Sequence, residues 1–142
     1  MTHKKFRLGT LLKLREMERD QARQRYLQAV RAQEILQQQI QQLDQQRAFH
    51  AEAARHSHAP GPVDVDRLLE QDRYGMVLEQ QRRHAQGQLE QISTVVSSRQ
   101  QEWAAAQQRV KMLEKLRERK EAERRRQESR QEQKRLDEMA GR

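Results

Sequence analysis

The chain of 142 residues has no cysteine, one tryptophan, two phenylalanines, two tyrosines, two prolines and five glycines. Without cysteine it can form no disulfide framework, thiol nucleophile or thiolate metal site. It lacks an apolar run near the ~20 residues that a membrane-spanning helix needs. Its basic start, residues 1–6, carries no apolar stretch of the secretory kind. These absences predict a soluble cytoplasmic protein. Apolar residues are scarce throughout, 34% hydrophobic against 35% charged, with a mean hydropathy of -1.25. A compact domain must bury enough apolar surface to offset the entropy of ordering its chain. A packed globule with an enclosed pocket is therefore excluded. Disorder remains, or long helices that bury only a narrow seam.

What the chain does have is helix formers, among them 24 Gln. Both prolines fall in Ala59-Pro60-Gly61-Pro62, a run that ends a helix and reverses the chain. The composition predicts helix 1 over 6–56, a turn over 57–63 and helix 2 over 64–139, with Asp64 as N-cap. Periodicity decides against disorder. Alternate steps of four and three from Leu8 to Leu43 meet eleven positions, eight of them apolar. The same walk from Leu78 to Leu113 meets eleven, nine of them apolar. The expected fold is all-α: an antiparallel two-helix coiled-coil hairpin, 1–142, whose longer second helix overhangs the N-terminus. With the apex at Pro60-Gly61, opposed residues have numbers summing to about 121. Leu8 then faces Leu113, Leu12 faces Val110, Ala29 faces Ile92, Leu43 faces Leu78, and Arg19 lies on the Trp103 indole. A hairpin satisfied in this way stays monomeric.

Charge is distributed unevenly. Residues 1–19 hold six basic and two acidic groups, residues 20–110 eleven of each, and residues 111–135 eleven basic and six acidic. An antiparallel hairpin brings the two basic stretches to the same end. Beyond Leu113 the seam fades into Arg117, Lys120 and Arg124, leaving a basic extension, 114–139. Glu-Arg pairs such as Glu114-Arg117, Glu121-Arg125 and Glu132-Arg135 support it by about 0.2–0.5 kcal/mol each. This extension reads first as a surface for a protein partner and second as a solvated helix face. Nucleic acid is third, because no aromatic residue stands there to stack on bases and acidic residues interrupt the basic ones.

Other features carry less. His56-Ser57-His58 could be half of a metal site, but without a third ligand a polar loop explains it better. No phosphate loop, catalytic constellation or cofactor motif is present, so neither an enzyme nor a cofactor is expected. Phe49, Leu69 and Tyr74 fall off the seam near the turn, either as scattered exposed apolar residues or as a docking patch.

Three segments resemble the flagellar export protein FliJ family: Phe6-Arg7-Leu8-Gly9-Thr10-Leu11-Leu12-Lys13-Leu14-Arg15, Val110-Lys111-Met112-Leu113-Glu114-Lys115-Leu116, and Gln133-Lys134-Arg135-Leu136-Asp137-Glu138-Met139-Ala140. Their order, the length and the central turn also match, so the resemblance covers nearly the whole chain. It implies a stalk-like coiled coil of the flagellar type III export apparatus. Such a protein inserts its terminal end into the hexameric export ATPase, promotes ring assembly and activity, and contacts the export-gate membrane protein and export chaperones. The implied ATPase contacts are Leu11, Lys13, Arg15, Arg19, Lys115, Arg117, Arg124, Arg125, Arg126, Asp137 and Glu138. The implied gate contacts are Leu43, Phe49, Tyr74 and Leu78. The resemblance implies a location at the cytoplasmic face of the inner membrane, peripheral to it, with no specific nucleic acid. Alternative readings are the stalk of a virulence-type secretion system, a nucleic-acid-binding coiled coil and a generic structural coiled coil.

Overall fold

The computed structural model describes residues 2–56 and 61–141, the first five by backbone alone. α1 spans Thr2–His56 and α2 spans Val65–Ala140, and no strand occurs among the described residues. The two pack against each other as an antiparallel coiled-coil hairpin, with 55 residues in α1 and 76 in α2. Residues 57–60 of the expected turn, Pro60 included, lie outside the described residues. Asp64 opens α2: its Oδ1 accepts the Asp66 N–H at 3.1 Å and the Arg67 N–H at 3.5 Å. Such a cap satisfies backbone donors that a helix start leaves free and contributes about 1 kcal/mol. Arg55 and His56 in the last turn of α1 suit the negative end of its dipole.

Each of two compact units takes a stretch from both helices: Met1–Gln24 with Gln101–Arg142, and Arg25–Gln100. All eight buried side chains fall on the two predicted seams, and the other fourteen seam positions are half-buried. In the unit Arg25–Gln100, Ile40, Leu43, Leu78 and Ala85 form the core, with Leu89 packed against it. In the other unit, Leu12, Ala106 and Val110 are buried. From Lys115 to Ala140 every residue of α2 is exposed, which is the overhang.

The register differs from the one expected. Gln33 Nε2 donates to Ser93 Oγ at 3.1 Å, and Arg82 Nε donates to Asp44 Oδ1 at 2.6 Å. Both pairs have numbers summing to 126, and a sum of 125 sets Ile40 against Ala85 and Leu36 against Leu89. Facing residues therefore have numbers summing to about 125–126 rather than 121. Polar seam residues explain the shift: a register near 125 gives Gln33 and Arg82 partners on the facing helix. The Asp44 hydrogen bond and charge also hold the Arg82 guanidinium above its ordinary pKa.

Cysteines replacing Ile40 and Ala85 are expected to form a disulfide on mild oxidation. Cysteines replacing Leu36 and Ala85, the pair that sums to 121, should not; non-reducing electrophoresis distinguishes the two. A Cβ at Gly87 would meet nothing within 4 Å. Gly87→Ala should therefore remove a helix-interior penalty and raise the urea midpoint, by about 1 kcal/mol of stability.

Candidate functional site

The whole net charge of +8 belongs to one unit. Arg25–Gln100 holds nine basic and nine acidic residues, whereas Met1–Gln24 with Gln101–Arg142 holds twenty basic and twelve acidic. All eleven residues implied as ATPase contacts lie in the charged unit. Leu11, Lys13, Lys115, Arg117, Arg124, Arg125, Arg126, Asp137 and Glu138 are exposed. Arg15 and Arg19 are half-buried on the seam and already committed: Arg15 Nη1 sits 2.9 Å from Glu18 Oε2, and Arg19 Nε 3.3 Å from Asp20 Oδ1. Beside them, Arg7, Thr10, Leu11 and Leu14 line a shallow groove. Leu14, Met112 and Leu116 are further exposed apolar residues of this unit.

Acidic and basic residues alternate along the overhang in sequence, but they separate around the helix. At about 100° per residue, Glu114, Glu118, Glu121, Glu128 and Glu132 fall within an arc of about 80°. Of the ten basic side chains between Lys115 and Arg135, only Arg125 shares that arc. The others spread over the rest of the helix with one carboxylate, Glu123, among them. The three consecutive arginines therefore differ. Arg125 lies 3.5 Å from Glu121 on the acidic arc, while Arg124 and Arg126 project outside it, about 160° apart on its two flanks, Arg124 reaching Glu128 at 3.8 Å. The overhang thus has one narrow acidic arc, with basic side chains over the remainder of its circumference. At the end of α2 the last turn carries Asp137 and Glu138 and no basic residue, the unfavourable sign for the helix dipole.

The residues implied as gate contacts divide in two. Leu43 and Leu78 are 7% and 2% exposed. They belong to the hairpin core and present no surface, because apolar residues at seam spacing are drawn inward first. Phe49 and Tyr74 are 79% and 49% exposed. They line an open groove with Gln42, Gln45, Gln46, His50 and Ala53. His50 braces it: its Nε2–H donates to the Gln71 carbonyl at 2.8 Å, and its ring meets Tyr74 edge-on at 4.9 Å.

Among the described residues no group of three His, Asp or Glu could hold a metal ion, and no helix is long and apolar enough to cross a membrane. Ser57 and His58 lie outside the described residues, and His56 Nε2 stands 3.9 Å from Glu52 Oε1. A narrow seam, open surface grooves and charge gathered in one unit define a coiled-coil interaction protein. The chain belongs to the FliJ family: the family described as flagellar FliJ protein matches residues 3–142. Membership makes it a component of the flagellar protein export apparatus. No curated protein and no solved structure matches the chain.

The division between core and surface has a measurable consequence. Leu78→Ala should cost about 2–4 kcal/mol in chemical denaturation. Phe49→Ala should change stability by less than about 0.5 kcal/mol, because its ring is already in water.

Proposed function

We propose that the chain acts without catalysis of its own, as a stalk-like adaptor of the flagellar export ATPase. Its charged unit enters the ATPase ring, promotes ring assembly and activity, and links it to the export gate and export chaperones. It works in the cytoplasm, peripheral to the membrane at the flagellar base. The observation that carries this reading is the overhang of α2, a fully exposed helix with its basic and acidic side chains on different sides. A helix with no intramolecular core gains most from a surrounding partner, since isolated helices are marginal in water. The basic side suits a partner surface rich in carboxylates, and the acidic side gives that partner an orientation to select. Leu11, Leu14, Met112 and Leu116 supply exposed apolar area in the same unit.

The three arginines provide the test, with the purified export ATPase and its hydrolysis rate as readout. Arg124→Glu and Arg126→Glu should each lower stimulation about fivefold or more at moderate salt, with helical content unchanged by circular dichroism. Arg125→Glu should stay within about twofold, because it adds one carboxylate to an arc already acidic. Equal losses at all three positions would count against an overhang oriented by its acidic arc. Unchanged stimulation in all three would remove the overhang from the ATPase contact.

A further inference from the structure

Within Arg25–Gln100 the apolar and the polar residues of the seam favour different registers. In the observed one, facing numbers sum to 125, and six layers run from Tyr26 to Leu43. Three of them are apolar on both sides: Ala29–Val96, Leu36–Leu89 and Ile40–Ala85. Gln33 faces Ile92, and Arg82 faces Leu43. A slide of half a heptad, about 5 Å, is one turn of a coiled-coil helix and returns seam positions to the seam. Facing numbers then sum to 121 or 122, and four of the six layers become apolar on both sides: Tyr26–Val96, Ala29–Ile92, Leu36–Ala85 and Leu43–Leu78. Apolar matching therefore gives the observed register no advantage.

Two polar clasps supply it. Gln33 Nε2 donates to Ser93 Oγ at 3.1 Å, and Arg82 Nε donates to Asp44 Oδ1 at 2.6 Å. The slide breaks both clasps and sets Asp44 against Glu79, one carboxylate facing another in place of a guanidinium. The ionic clasp is also open to solvent, its Arg82 and Asp44 side chains 35% and 48% exposed. A charged group from another molecule can reach it.

We propose that this unit is a two-register element. The clasps hold its helices in the observed register, and a cation that takes Asp44 from Arg82 releases them into the register shifted by half a heptad. Both helices stay intact through the change, because helix backbone bonds lie within each helix and only the side-chain layers exchange partners. Packed layers fit at one pairing or the other and not between, so the change is discrete. Nothing in this device draws on the overhang or on what binds it.

Disulfide formation in the full chain reads the register. Ile40→Cys with Ala85→Cys reports the observed one, and Leu36→Cys with Ala85→Cys the shifted one. Asp44→Lys brings the cation within the chain itself, repelling Arg82 and attracting Glu79. It should raise the yield of the 36/85 disulfide about fivefold or more and lower that of 40/85 by a similar factor, with helical content unchanged by circular dichroism. Asp44→Ala with Ser93→Ala removes both clasps without adding charge, and should move the yields the same way by about threefold or more. Glu79→Gln breaks only the Arg83–Glu79 pair within α2 and should leave both yields within about 1.5-fold. Where Asp44→Lys costs helix, the double variant decides. Unchanged yields, loss of both disulfides, or a Glu79→Gln response as large as that of Asp44→Lys would overturn the proposal. Loss of helix in both clasp variants would overturn it too, since the clasps would then serve stability alone.

Discussion

Polar residues inside the seam set the register, and the register decides which side chains are left for anything else. A coiled-coil seam offers about two positions per heptad, and here some of them are filled by Gln33, Arg82, Arg15 and Arg19. A polar group in an apolar seam is costly unless bonded. The Ser93 hydroxyl resolves this for Gln33: it accepts from the amide at 3.1 Å and donates to the Leu89 carbonyl at 2.8 Å. Asp44 does the same for Arg82. A slip by one heptad moves each partner by about 10 Å, so both polar groups would lose their partners together. Apolar seams tolerate such slips; this one does not.

With the register set, eight apolar side chains are buried in the seam and seventeen large ones stay exposed, and the grooves they line are open. Recognition must then use strips along the helices. The two units do this in opposite ways. The charged unit offers a helix whose electrostatics have direction, which favours rapid encounter and a single orientation. The neutral unit offers amides and exposed apolar rings, which favour slow selection by fit. Salt weakens contacts of the first kind and scarcely touches the second.

The fold was legible because a 3.5-residue period leaves few alternatives. All twenty-two seam positions read from the sequence are buried or half-buried. The register was not legible, because repeated apolar heptads are nearly degenerate and the deciding groups, Asp44 and Ser93, lie outside the seam. Leu43 and Leu78 are seam residues by their period, and the family resemblance alone implies them as gate contacts; their burial agrees with the period. The acidic arc on the overhang was hidden by sequence order, in which Glu and Arg alternate. Projection onto the helix separates them without any coordinates.

The end of α2 shows how the overhang's order depends on what meets it. Its side chains are all exposed, so it is held by intrinsic propensity and by pairs such as Arg125–Glu121, worth a few tenths of a kcal/mol each. Asp137 and Glu138 work against it, placing two carboxylates where the dipole already concentrates negative charge. Neutral caps or lysines would have made a more stable free helix. The surface that complements this segment therefore changes sign along its length, carboxylates facing Arg117 to Arg130 and a cation or backbone donors facing Asp137 and Glu138. A plain polyanion meets the first requirement and violates the second. A folded protein surface can meet both, and for that physical reason the overhang fits a protein partner better than nucleic acid.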